Sequence, residues 1–231
     1  MVFKYYTLME IELYRADHKG NTTKPELFPS NGLLTKQINH GNPLFFKDYG
    51  WLRSIKSHIN HDTKFEEIIS NSSSYLSFSI NKELVLTTYL IGSNKLHVER
   101  TNCFRDADRF IFKIGFILDE LIQVCPGVSV FEYYCDYEKF SSLLSPMLKQ
   151  SISCNICYKI KDYKHKLLVI DAVNYLTDNT NKLDNIDVAL KNAQRDEEWL
   201  LMPLDNMHDG IGFQSRIPVA AFLNVEYYKC T

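Results

Sequence analysis

The sequence predicts an α+β fold, and three observations carry that prediction. Strand-like runs stand near both ends of the chain, in residues 4–14, 199–202 and 217–228. Helical periodicity concentrates in the middle, best in residues 105–124. Strands and helices do not alternate in the regular way that a parallel βαβ sheet requires. The 231 residues amount to one large domain or two small ones, and no internal repeat or low-complexity block divides them. Hydrophobic residues at 45% and charged residues at 23% exclude a disordered tail, a collagen-like fibre and a coiled coil. With 14 Tyr and 14 Phe the chain can build a sizeable core.

Taken in order, residues 4–14 alternate aromatic, apolar and polar side chains with the period of a strand. Residues 17–30 form a polar loop punctuated by Gly20, Pro25 and Pro29. Residues 48–60 read as a helix. Residues 75–80 are a short strand after the polar run Asn71-Ser72-Ser73-Ser74. Residues 81–89 continue as a short helix, their β-branched content leaving a strand as the alternative. In residues 105–124, Phe110, Ile114, Ile117 and Leu121 recur at helical spacing, and Pro126-Gly127 ends the run. Residues 138–149 are a second helix. Residues 166–173, KLLVIDAV, form a central strand. Residues 183–192 are a short helix with Asn181 as its candidate N-cap. The late strands 199–202 and 217–228 are separated by the polar loop 203–214.

The 26 basic and 28 acidic side chains give a net charge of −2. A nucleic-acid-binding protein is usually basic, so nucleic acid is not an expected partner. The charge is nevertheless patterned. Residues 184–209 carry seven acidic against two basic side chains, a balance of −5. Residues 149–166 carry five lysines against Asp162, a balance of +4, with Tyr158 and Tyr163 interleaved. That basic stretch suits nucleic acid, or more commonly a solvated strand pair or a rim for an acidic partner protein. No run approaches the ~20 apolar residues that span a bilayer. Glu10 and Glu12 interrupt the N-terminal apolar stretch, so a cleaved Sec signal is not expected, and export would need another route. The six cysteines do not read as a disulfide framework, which belongs to small secreted chains. Cys154 and Cys157 have zinc-knuckle spacing, but no second close pair completes a site, so free thiols are expected.

Three groups of residues stand out chemically. Asp196 and Glu198 would share one face of a strand that leads into an apolar run. Two carboxylates there are costly to desolvate unless they border a cleft; the alternative is a solvated strand start. Arg15 closes an apolar strand, where an arginine can fork onto a phosphate or carboxylate. Ser77 and Ser79 alternate with Leu76, Phe78 and Ile80, so both hydroxyls could line a cleft or form the polar side of an edge strand.

These residues, in this order, resemble the mono-ADP-ribosyltransferase toxins of the cholera-toxin and heat-labile-enterotoxin type. Residues 13–17 read LYRAD, as the arginine-bearing strand of that family does, and Gly32-Leu33 matches the Gly-Leu pair that follows. Residues 75–80 read YLSFSI where the family has YVSTSI, with Phe78 in place of the middle Thr. The family's Glu-x-Glu pair falls on Asp196 and Glu198, and EEWLLMP at 197–203 looks like the apolar run after its catalytic glutamate.

The resemblance implies a single ADP-ribosyltransferase domain over residues 1–231, a split β-sandwich with a helical insertion at about 94–160. It implies NAD⁺ as substrate and a host protein as ADP-ribose acceptor, with a host activating factor as a further candidate partner. It gives Glu198 the role of stabilising positive charge on the ribose, and Ser77 that of orienting Glu198. Arg15 would clamp the pyrophosphate. Ser79 joins the NAD⁺-binding set, and Phe78 and Tyr75 are candidates to pack on the nicotinamide side or to be core. Asp196, shorter than the usual Glu or Gln, leaves the acceptor open among Arg, Thr, Gln and others. His58 or His61 could match a histidine on the adenosine side, or lie on the surface. No segment resembles the tail that threads a pentameric B subunit, which fits an effector secreted into the host cytoplasm without a cleaved Sec signal. The alternatives are a catalytically inactive relative or another α+β interaction module.

Overall fold

A computed structural model describes residues 9–18, 33–38, 43–60, 75–92, 108–134, 164–204, 207–208, 213–217 and 223–229. The strands are β1 (Glu10–His18), β2 (Leu33–Ile38), β3 (Leu76–Ser79), β4 (Asp108–Ile117), β5 (Ile122–Cys125), β6 (Val128–Tyr134), β7 (Lys164–Asp171), β8 (Glu198–Pro203), β9 (Met207–His208), β10 (Phe213–Ile217) and β11 (Leu223–Lys229). The helices are α1 (Pro43–Asn60), α2 (Lys82–Leu84), α3 (Ala172–Asp178) and α4 (Ile186–Asp196). The short α2 runs directly into an eight-residue π-helix, Val85–Gly92. Eight strands form one antiparallel sheet in the order β11-β4-β1-β3-β8-β7-β6-β5, and β2-β10-β9 form a second, smaller one. The fold is thus α+β with its large sheet antiparallel.

Alternation along the strands builds a core on each face of the large sheet. In β7, Leu167 and Val169 face a first core with Leu13, Phe78, Phe112, Ile114, Phe116, Phe131 and Leu201. Leu168 and Ile170 face the other way, onto Ile55 and Ile59 of α1, Leu176 of α3, and Ile186, Ala189 and Ala193 of α4. This is why residues 167–170 read as an unbroken apolar run: the strand is interior and covered on both faces. A third cluster seats the π-helix on the sheet through Val85, Leu90, Tyr14 and Ile111. Each fully buried aliphatic or aromatic side chain contributes roughly 1.5–3 kcal/mol, so these clusters hold the sheet's register. No helix among the described residues is long and apolar enough to cross a membrane.

Several expectations need correction. Residues 105–124 are not a helix: their described part is β4, a 3₁₀ turn at Leu118–Glu120 and the start of β5. The helical spacing there is real, but Phe112, Ile114 and Phe116 also recur with period two, and that period prevails between β1 and β11. The helical insertion expected at 94–160 is, where described, strand β4 and the β5–β6 hairpin, all within the large sheet. Pro126-Gly127 turns that hairpin instead of ending a helix. β1 begins at Glu10 and continues past Arg15, so Arg15 lies within the strand and does not close it. The apolar run 166–173 divides at Asp171, whose carboxylate accepts from Asn174 N–H at 3.0 Å and caps α3, a helix not expected. α4 starts later than residue 183, and its N-cap is Asn185, not Asn181. Residues 217–228 are not one strand, since β10 ends at Ile217 and β11 begins at Leu223. The expected helix 138–149, most of the loop 17–30, His61, Cys154 and Cys157 lie outside the described residues.

Candidate functional site

Three strands from distant parts of the chain meet at the centre of the sheet. β1 touches β3 at the pair Tyr14↔Ser79, and β3 pairs with β8 from Leu76↔Leu201 to Ser79↔Glu198. Alternation sends Leu76, Phe78 and Leu201 to the first core. It leaves Ser77, Ser79 and Glu198 on the face that carries the helices. Ile59 of α1 and Val85 and Tyr89 of the π-helix rise over that face. With Tyr14, Arg15 and Ala16 of β1 and with Asp196, they enclose a cavity of about 250 Å³. Arg15, Ser77, Ser79, Asp196 and Glu198 all line it.

A chain of hydrogen bonds orders the polar wall. Arg15 Nη1 donates to the Ser77 carbonyl at 2.9 Å. The Ser77 hydroxyl donates to the Glu198 carboxylate across the β3–β8 diagonal. A hydroxyl has one proton, so while Glu198 is ionised and takes it, His58 Nε2, 2.8 Å from Ser77 Oγ, faces the oxygen as donor in the tautomer protonated there. His58 is held in turn by edge-on contact with Tyr75, ring centroids 5.5 Å apart. Tyr75 is 5% exposed and accepts from Ser54 Oγ at 2.9 Å.

Glu198 is 8% exposed. Loss of water is the largest influence on its carboxyl, and Asp196 adds to it; together they push the pKa up to about 7. The Ser77 hydroxyl, Arg195 and Arg15 oppose that rise without cancelling it. Asp196 is engaged differently. Arg195 grips it with a two-toothed fork, Nε to Oδ1 at 2.8 Å and Nη2 to Oδ2 at 2.7 Å. The Tyr89 hydroxyl donates to the same carboxylate, and burial with that bond pushes the Tyr89 pKa up. One carboxylate is therefore neutralised at the rim while the other is desolvated inside, an arrangement that separates two acids by environment.

The corner between α4 and β8 explains how both reach one cavity. Asp196 ends the helix, Glu197 takes a left-handed conformation with φ 46°, and Glu198 opens the strand. Asp196 and Glu198 are thus not alternate residues of one strand, as their spacing had implied. Tyr75 packs in the second core and does not line the cavity. Phe78 borders the cavity, but at 3% exposure it belongs to the first core. Sequence reasoning missed Tyr89 and Asn81. Nothing in the sequence marks the π-helix that aims Tyr89 inward, whereas an Asn between a strand and a helix is an N-cap signal. Among the described residues no group of three or more His, Cys, Asp or Glu is arranged to hold a metal. Cys125 is a free thiol whose pKa is raised by burial. No protein-family model matches the chain, and no curated protein matches it.

Proposed function

We propose that this chain is a mono-ADP-ribosyltransferase that cleaves NAD⁺ at the nicotinamide–ribose bond and transfers ADP-ribose to a side chain of a host protein. The observation that carries the reading is the convergence of Arg15, Ser77 and Glu198 on one cavity from three separate strands. Three short motifs matched by chance would have no reason to share a cavity. The antiparallel α+β architecture is compatible with the split β-sandwich of that family, which is part of the same proposal.

In this reading the bond breaks with its electron pair leaving on nicotinamide, and positive charge develops on the ribose, as in glycoside hydrolysis. Ionised Glu198 faces that charge from a site poor in water, where a fixed carboxylate acts most strongly. Ser77 holds Glu198 in place, and His58 fixes the Ser77 proton by donating to its oxygen. Arg15 brings the charge-assisted, forked donors that a pyrophosphate accepts. At about 250 Å³ the cavity falls just below the roughly 300–1,000 Å³ usual for ligand pockets. That size suits the reacting end of a dinucleotide better than the whole. The proposal includes a host activating factor as a further partner and delivery to the host cytoplasm.

The test is incubation with labelled NAD⁺ and host lysate. The wild-type protein should label a discrete band and release nicotinamide. Glu198→Gln should slow release by about 10²–10³ with an unchanged circular dichroism spectrum. Undiminished labelling by the variant would take the reaction away from Glu198 and overturn the assignment, and no turnover by the wild type would assign the chain to an inactive relative or an interaction module on this scaffold.

A further inference from the structure

We infer that Asn81 is a positioning residue of the cavity, one side chain that both caps the helical wall and clamps the turn carrying Asp196 and Glu198. The inference deepens the reading above and rests on it for its catalytic readout. Asn81 follows β3 by two residues, and each of its four hydrogen-bonding groups is used. Its N–H donates to Ser79 Oγ at 3.1 Å. Its carbonyl accepts from Val85 N–H at 3.1 Å. Its Oδ1 accepts from Leu84 N–H at 3.0 Å, and its Nδ2 donates to Glu197 Oε1 at 2.8 Å. Ser79 and Val85 line the cavity, and Glu197 stands between two residues that do.

A carboxamide suits this position because it offers an acceptor and a donor on one short stem. Aspartate would cap the helix equally well but has no proton for Glu197. Serine also caps, but its single hydroxyl cannot occupy both places. Glu197 needs the clamp, since a non-glycine residue keeps a left-handed conformation only where its surroundings over-determine it. The Ile80 N–H on the Glu197 carbonyl at 3.3 Å is the backbone tie, and the Asn81 amide is the side-chain tie. Together they set the gap between the π-helix, with Val85 and Tyr89, and the corner with Asp196 and Glu198. A reacting group must fit that gap. With the side-chain tie cut, the corner can swing and water can reach Glu198.

The test begins with Asn81→Ser, which keeps a capping oxygen and loses the amide donor. NAD⁺ hydrolysis should lose about ten- to a hundred-fold in kcat, with KM changed by less than about two-fold. The Glu198 titration midpoint, followed by carboxyl-carbon NMR, should fall toward the ordinary carboxylate range. Asn81→Asp combined with Glu197→Gln rebuilds the bond with donor and acceptor exchanged, and should restore both readouts relative to Asn81→Asp alone. Wild-type kcat and midpoint in Asn81→Ser, or no recovery in the paired variant, would overturn the role. If Asn81→Ser does not fold, Glu197→Gly removes the same bond while favouring the left-handed turn, and should show the same losses. If the wild-type protein turns over no NAD⁺, the enzymatic reading fails, yet the Glu198 midpoint still decides the role of Asn81.

Discussion

Glu198 is where the site's chemistry and the protein's stability oppose each other. Its carboxyl titrates near pH 7 in the folded protein against an ordinary 4.5, because burial removes the water that would solvate its charge. The folded state therefore holds a proton that the unfolded state has already lost between those two values. Stability falls as pH rises through that window, by on the order of 3 kcal/mol. Ser77, Asp196, Arg195 and Arg15 act directly on this group, and His58 acts through Ser77. Glu198→Gln should accordingly melt higher than the wild type at pH 8, and the difference should vanish below about pH 4. Thermal melts across that range measure it; a variant less stable at pH 8 would contradict the assignment of Glu198 as a strained, desolvated acid. Ser77→Ala withdraws a hydrogen bond that favours the charged form. In the activity proposed above it should move the acid limb of the NAD⁺ turnover profile to higher pH, and an unmoved limb would remove Ser77 from contact with Glu198.

At the scale of the element, the β5–β6 hairpin and the π-helix show how local geometry serves distant packing. Gly127 has φ +73° at the second position of a two-residue turn whose first position is Pro126, the pairing that a type II turn favours. It is also pressed against the next layer. A Cβ there would come within 2.4 Å of the Tyr175 backbone nitrogen, and the Gly127 carbonyl accepts from Asp171 N–H at 2.8 Å. Gly127→Ala should therefore destabilise by roughly 2–4 kcal/mol, combining left-handed strain with a clash against backbone that cannot move aside. Urea unfolding checks this, and a change below 1 kcal/mol would show that the hairpin can shift away from α3. The π-helix matters through register. Its wider turn seats Leu90 in the core at 2% exposure while Tyr89 reaches Asp196. Such turns are uncommon and recur at functional sites.

Across the whole molecule, the cavity is a product of strand order, since β1, β3 and β8 are neighbours in space and not in sequence. The edges of the sheet support it indirectly. β11 covers β4 along seven residue pairs, from Leu223↔Ile114 to Lys229↔Asp108, and β4 in turn carries β1 with Arg15. A chain ending before Leu223 should expose the β4 backbone as a long unpaired edge and self-associate. Size-exclusion chromatography should show the loss of monomer, and a fully monomeric truncation would mean that β11 is dispensable for the sheet. The sequence by itself determined the strand carrying Ser77 and Ser79, the C-terminal end of α1 and the interior strand β7, and it named Arg15, Ser77, Ser79, Asp196 and Glu198 among the residues that line the cavity. Those features are local: period-two alternation, apolar runs and helix signals act over a few residues. Tertiary structure alone decided that residues 108–117 are a strand, because the same side chains satisfy both periods and only pairing with β1 and β11 chooses between them. It also decided that Asp196 and Glu198 meet around a left-handed corner, and that Asn81, Tyr89 and His58 join them. No local pattern encodes such a meeting, since it depends on which distant backbones exchange hydrogen bonds.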